Sequence, residues 1–431
     1  KKWLLQYDPS QYMTPQTNYP IDTYFDQELI KYSLEDCKRS IPNLFDGLKV
    51  SQRKILYSVF KKGLKYTGKS MKVAQLAGYV SEHTAYHHGE NSLINTIINM
   101  AQNYVGSNNM NLLEPCGQFG SRLMGGKDAS SPRYIFTKLS EYSNQLFNPE
   151  DFPILEYLNE EGQDIEPKYY VPTLPLILIN GSEGIGTGFS TKIPSFNPDD
   201  LKYCLEKLIK DPDFIIPELT PWYKNFKGYI SKIDTNKWVS YGSYDIIENT
   251  IIVNELPIGE WTETYKQYLE KLEADDKIIT FKNNSSETDV KFEIKVTKQV
   301  LNQWEYDGTL EKQLKLTSNI NATNMHVFMP NGEIQKMDTP EDILYSFYIN
   351  RTKYHNLRKK YLQDKISLEL KILDSKVRYI RAVVNEELIL FKRKKIDITE
   401  DMKKMNLYEN PDYKYLLDIP GIAFTEEKLE Q

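Results

Sequence analysis

The chain has 431 residues, enough for two to four domains with a core in each. Its hydrophobic content of 40% and charged content of 26% are those of a soluble globular protein and exclude a disordered or fibrous one. The net charge of -6 gives no hint of a polyanionic partner, no apolar run approaches the roughly 20 residues that cross a bilayer, and no charged-then-apolar leader opens the chain. Cys37, Cys116 and Cys204 are odd in number and widely spaced, which points to an intracellular, reducing setting without a disulfide framework.

Residues 1–35 are polar and aromatic with few regular periods and read as a linker with short helices. From Lys38 to Val73 the average charge proves misleading, because ten Lys and Arg residues stand against one acid, Asp46. Asp46-Gly47 marks a turn, and Leu48, Ile55, Leu56, Val59 and Phe60 then recur at helical spacing to about Lys62. That pattern places Lys49, Arg53, Lys54, Lys61 and Lys62 on exposed faces. Short charge runs often do no more than solvate a surface, but a concentrated cationic face on an acidic protein offers a polyanion one place to dock. Helices are expected over 71–80 and 92–104, and with the basic run they suit a helix-turn-helix or winged-helix unit.

Residues 174–180 read as a buried strand ending in a cluster of glycines at 181–188. Strands dominate from there to about 335, among them 229–233, 244–255 and 290–296, with helical pieces at 261–272 and 297–304, as in a separate α+β domain. After Asp338, Leu362, Ile366, Leu373, Val377, Ile380 and Val384 follow steps of three, four and seven. They predict a helix of about 50 residues ending near Lys395, of the kind that forms coiled coils. An acidic tail occupies 396–431.

The stretch from Gly125 to Thr137 carries the chemistry, placing Tyr134 directly after Arg133 and downstream of a glycine-rich turn. A phenol ionises near pH 10, so half-ionisation at pH 7 needs roughly 4 kcal/mol of differential stabilisation, of which one arginine supplies a part. Tyr134 is one of 31 tyrosines, and Arg-Tyr alone is weak. His83, His87 and His88 suggest zinc, but no Glu follows His83 and no cysteine lies near, so no metal ligand is assigned in this chain. His88, before Gly89-Glu90, is better placed to donate to a phosphate. Residues 120–127 lack the spacing of a Walker loop, and 181–188 lacks the dinucleotide fingerprint. Glycines there would let a loop approach a duplex closely, and Ile185, isolated among them, is either a buried turn residue or a wedge between base pairs.

With these segments in hand, the chain resembles the breakage-reunion region of the eukaryotic-type type IIA DNA topoisomerases. The matching runs are Arg39-Ser40-Ile41-Pro42, Asp46-Gly47-Leu48-Lys49, Gln52-Arg53-Lys54, Lys72-Val73-Ala74-Gln75-Leu76-Ala77-Gly78 and Tyr86-His87-His88-Gly89-Glu90. Gln118-Phe119-Gly120, the stretch from Gly125 to Thr137, and the run from Ile179 to Gly188 continue in order. The Pro-Arg-Tyr-Ile-Phe-Thr form is similar to eukaryotic or large-DNA-virus enzymes and not to bacterial gyrase. The resemblance implies that Tyr134 attacks a backbone phosphate and that Arg133 stabilises the charge developing there. It implies DNA contacts from Arg39, Lys49, Arg53, Lys72, His87, His88 and Lys127, and a bending wedge at Ile185.

The implied fold is multidomain α+β: a winged-helix (CAP-like) cleavage domain at 36–173, an α+β tower at 174–337, a coiled-coil arm at 338–395 and a partial exit-gate globule at 396–431. Residues 1–35 would be a linker following an absent metal-binding domain, and Mg²⁺ and ATP would come from absent domains. The implied partners are double-stranded DNA and a second copy of the chain, with no membrane, in a nucleus or, for a viral protein, the host cytoplasm or nucleus. A non-catalytic winged-helix protein with a coiled-coil arm would fit the basic run equally well. A tyrosine recombinase would need an Arg/His/Arg set in an order these segments do not follow.

Overall fold

The computed structural model describes residues 3–8, 10 and 18–424; the parts of the expected linker and tail at 1–2, 9, 11–17 and 425–431 lie outside the described residues. In the segment expected to be a linker with short helices, Ile21–Tyr24, Phe25–Leu29 and Ile30–Ser40 follow one another as helix without a break. Three helices come next, Val50–Lys62, Val73–His83 and Glu90–Ala101. Their apolar stripes meet in one core, where Ile55, Leu56, Val59, Leu76, Val80 and Ile97 are fully buried. The strand Met71–Lys72 pairs antiparallel with Phe136–Thr137, which also bridges to Cys116.

The basic run is not wholly exposed. Asp46 and Arg53 are both buried and form a two-point ion pair, Arg53 Nε to Asp46 Oδ2 at 2.7 Å and Nη2 to Oδ1 at 3.1 Å. Asp46 also accepts the Leu48 and Tyr170 backbone N–H groups, each at 2.9 Å. Burial alone would lower the Arg53 pKa, but the adjacent Asp46 carboxylate outweighs it and the pKa is raised. Lys54 is buried too, with its Nζ 2.9 Å from Glu166 Oε1. Helical periodicity located the apolar stripe, but it could not show that two cations beside that stripe find carboxylates outside the helix, Asp46 just before it and Glu166 far along the chain.

In place of the strand expected over 174–180, Leu176–Ile179 is a short, fully buried helix, because the Pro175 carbonyl accepts the N–H groups of Leu178 (2.9 Å) and Ile179 (3.1 Å). A four-residue apolar run buried on every side carries no period by which to tell strand from helix. It belongs to a second core with Phe45, Phe196, Trp238 and Phe347. A third core lies under an antiparallel sheet in the order Thr280–Asn283, Phe292–Lys295, Thr250–Glu255, Ser243–Ile247, packed against the helices Thr262–Ala274 and Lys298–Tyr306. The single strand expected over 244–255 is a hairpin, turned at Glu248 with φ 57°.

Two compact bodies, 1–354 and 355–431, divide the chain. The helix Pro340–Val384 contributes 45 residues and stops short of Lys395, because Glu386 adopts the left-handed φ of 61° and Leu388 N–H folds back to Ala382 O. In the second body Tyr379, Leu388, Met402, Leu407 and Leu416 form a small core, while Ile366, Leu370 and Leu373 remain exposed. No helix among the described residues is long and apolar enough to cross a membrane.

Because the Arg53 guanidinium is enclosed, Asp46→Ala strands a buried charge. It should cost roughly 3–5 kcal/mol of unfolding free energy, read by denaturant titration.

Candidate nucleic-acid interface

Tyr134 sits on a turn and donates its own backbone N–H to Ser131 O at 2.9 Å. The turn is clipped to the start of the Val73–His83 helix by two backbone hydrogen bonds, Val73 N–H to Ile135 O (3.0 Å) and Ala74 N–H to Pro132 O (3.1 Å). Ile135 is buried next to two outward residues, so the backbone is anchored while the Arg133 and Tyr134 side chains are exposed, the latter by 74%. The positive end of that helix lies at the base of the turn. Strand pairing sets Lys72 opposite Phe136, which brings its exposed ammonium-bearing side chain beside the same turn.

Other tyrosines nearby are unsuited to nucleophilic work. Burial, with a smaller contribution from Asp128, pushes Tyr104 up to about 12, and burial likewise raises Tyr57, Tyr157, Tyr169 and Tyr170. Their hydroxyls are committed to the fold or the core.

The glycine-rich segment ahead of the turn is a closed loop. Ser121 donates to Asp128 through both N–H (2.9 Å to Oδ1) and Oγ (2.6 Å to Oδ2), Gly126 N–H returns to Ser121 O, and Ser130 N–H to Gln118 O. Gln102 Nε2 holds it from beneath through Phe119 O and Gly126 O. Lys127 is exposed on its rim.

The second exposed feature is the hairpin Ser182–Gly186 and Phe189–Ile193, in which Ile185 pairs with Ser190. Ile185 is 80% exposed, so it is not a buried turn residue. Strand alternation explains why: Gly184 and Gly186 face the Ile30–Ser40 helix, and Ile185 between them faces away. A Cβ on Gly184 would lie 2.0 Å from Ser40 O, and one on Gly186 3.1 Å from Cys37 Cα. These two glycines therefore serve close approach to a helix of this chain. Cys37 donates its thiol hydrogen to Thr187 O, and Thr187 Oγ1 donates to Asp36 Oδ2, which fastens the hairpin end.

Lys49 is half-buried, and its Nζ donates to Glu183 O at 2.6 Å on this hairpin; burial lowers its pKa. Arg39 is exposed and paired with Asp36 at 3.1 Å. Arg39, His87 and His88 line one cleft of about 570 Å³ together with Lys38 and Glu160, whose Oε1 stands 3.0 Å from His87 Nε2. His83 turns elsewhere, with Nδ1 on Tyr79 O and its ring stacked on Tyr79. Arg53 also lines this cleft, but it is only 6% exposed, and its guanidinium is paired with Asp46 and donates to Leu48 O. Sequence reasoning missed Arg122 of the glycine loop and its braces from the third-core body, Glu255 and Trp261, which carry no motif or period that would have flagged them.

The chain thus presents an anchored, outward tyrosine beside arginine, with cations nearby and an exposed apolar side chain on a braced hairpin. Residues 39–431 match the family of DNA gyrase/topoisomerase IV A subunits. The chain belongs to that family. It is 46% identical over 452 residues to a DNA topoisomerase 2 of Plasmodium falciparum, covering 95% of this chain and 32% of the relative. The corresponding protein of Arabidopsis thaliana is 44% identical over 415 residues, with 94% of this chain and 28% of the relative covered. A crystal structure of the Plasmodium falciparum topoisomerase II DNA-binding, cleavage and re-ligation domain superposes with a TM-score of 0.88 at 43% identity, over 100% of this chain and 62% of that one. These eukaryotic relatives agree with the form of the Pro-Arg-Tyr-Ile-Phe-Thr segment. The chain spans about a third of the length of the curated relatives it matches.

The two kinds of glycine here should separate in a melting experiment. Gly184→Ala forces a methyl onto Ser40 O and should destabilise by about 1–3 kcal/mol. Gly78→Ala, at an exposed helical site with nothing within 4 Å, should stabilise by roughly 0.5–1 kcal/mol.

Proposed function

We propose that this chain is the DNA-cleavage core of an ATP-dependent type IIA topoisomerase, working on double-stranded DNA as a homodimer. The observation that carries the reading is the Tyr134 phenol, exposed on a turn whose backbone is fixed by a helix start and next to an exposed arginine. In the reaction the Tyr134 Oη–P bond forms as the P–O3′ bond breaks, and the phenolic proton passes to solvent. The leaving 3′-oxygen takes a proton from solvent, so that the products are a 5′-phosphotyrosyl link and a free 3′-OH. Arg133 and Lys72 supply positive charge where the equatorial phosphate oxygens gain negative charge. Because one phosphoester replaces another, resealing by the 3′-OH needs no external energy source, and ATP serves gate motions in strand passage.

Arg39, His87 and His88, sharing one cleft, and Lys127 on the loop rim are proposed to hold neighbouring phosphates, with Ile185 inserted between base pairs. Lys49 is proposed to serve both roles, bracing the hairpin and presenting charge to the duplex. Helices 50–62, 73–83 and 90–101 with the paired strands are read as the winged-helix unit, the third core as the tower, and the exposed apolar residues of the 340–384 helix as one face of a coiled coil leading to a dimer gate.

Mg²⁺ does not fit the residues present. Both Asp128 oxygens are taken by Ser121, and among the described residues no group of three or more His, Cys, Asp and Glu is placed to hold an ion. The chain spans about a third of its curated relatives, and metal and nucleotide are proposed to be supplied by other parts of the protein.

Tyr134→Phe in the complete protein should abolish detergent-trapped covalent DNA adducts while leaving duplex affinity nearly intact; adducts formed by the Phe variant would refute the assignment. Ile185→Ala should reduce the bend angle, measured by energy transfer across the duplex, more than it reduces affinity, because wedge and phosphate contacts are separate contributions. An unchanged angle would remove the wedge role.

A further inference from the structure

The loop that leads into the Tyr134 turn is gripped by the third core at three points. Glu255 ends the strand Thr250–Glu255, where the register slips between Val253 and Glu255, and it is completely buried. Its carboxylate accepts Arg122 Nη2 and Nη1, the latter at 3.4 Å, together with the N–H groups of Leu256 (2.9 Å) and Lys227 (3.2 Å). Arg122 is itself only 5% exposed and sits in the closed glycine loop next to Ser121. The first N–H groups of the Thr262–Ala274 helix donate into the same loop, Thr262 to Arg122 O (3.4 Å) and Glu263 to Leu123 O (2.9 Å).

Trp261 completes the grip. Its indole lies where a Cβ on Gly125 would come within 2.5 Å of Nε1 and Cε2, and a Cβ on Gly106 within 3.3 Å of Cη2. The loop cannot slide under that ring without meeting it. Nor can it deform freely, because Asp128 closes it on Ser121 and Ser130 is tied to Gln118, only four residues before Tyr134.

We propose that Glu255 and Trp261 are positioning residues for the Tyr134 nucleophile, setting its height over the DNA through Arg122 and the closed 117–130 loop. The proposal rests on the assignment of Tyr134 above and adds the third core to the cleavage machinery as the body that aims it. Glu255 is fully buried and Trp261 is half-buried against the loop, and neither carries a positive charge to offer a phosphate. A buried charge pair of this kind is poor at adding stability, because desolvation offsets the attraction, but its two-point geometry fixes one loop position over others.

The test compares Glu255→Gln and Trp261→Phe with the unaltered complete protein and with Tyr134→Phe. Four quantities are read: melting temperature, duplex affinity, bend angle and the rate of detergent-trapped adduct formation. Misplacement of a reacting group by about 1 Å costs on the order of 10²-fold, so adduct formation should fall by roughly 10- to 100-fold in each variant. Affinity should stay within about twofold and the bend angle should be unchanged, because the wedge and all the proposed phosphate contacts but Lys127 lie outside the 117–130 loop. Unaltered adduct rates in both variants would overturn the proposal, as would a loss that only tracks loss of folded protein or of DNA binding. If instead Tyr134→Phe still forms adducts, it is the nucleophile assignment that fails, and the two failures are told apart by that lane alone.

Discussion

Val73 N–H to Ile135 O and Ala74 N–H to Pro132 O are ordinary backbone hydrogen bonds, yet the placement of the Tyr134 side chain depends on them. They fasten an irregular turn to the most regular object nearby, the first turn of a helix packed on all its apolar positions. A side chain on a free loop would sample many directions and lose entropy on every productive encounter. Here that ordering is done during folding, with Ile135 buried as the pivot and Arg133 and Tyr134 turned out.

A similar division of labour appears at the hairpin. Helix Ile30–Ser40 and the Lys49 ammonium hold the backbone of 183–187, and the one large side chain left over points to solvent. Both features set an exposed group on a rigid base. The same logic explains why the buried Asp46–Arg53 pair sits inside a basic run: it joins the turn at 46–48 to the Val50–Lys62 helix and to Tyr170, orienting the segment that presents Lys49.

Legibility in the sequence followed physical range. The stripes of the three helices were readable because Ile55, Val59, Leu76, Val80 and Ile97 repeat locally with the helical period. Tyr134 and Ile185 drew notice through their immediate neighbours, which left a buried Ile185 open, and their exposure is a local matter of turn and alternation. The fate of Arg53 and Lys54 was not, since it depends on Asp46 and on Glu166 more than a hundred residues away. Residues 176–179 misled for another reason: an apolar run too short to show a period takes whichever conformation its surroundings and a preceding proline impose. Arg122, Glu255 and Trp261 were invisible because each matters only through the others, across more than 130 residues of chain.

The alternation at 184–186 has a corollary for substitution. Ile185 makes no demand on the fold, whereas the glycines flanking it press against a helix backbone that leaves a side chain little or no room. Substitutions at the centre of this tripeptide therefore meet no steric penalty in folding, while its flanks are frozen by contact with the helix. The tip can change in size without disturbing the pedestal that carries it.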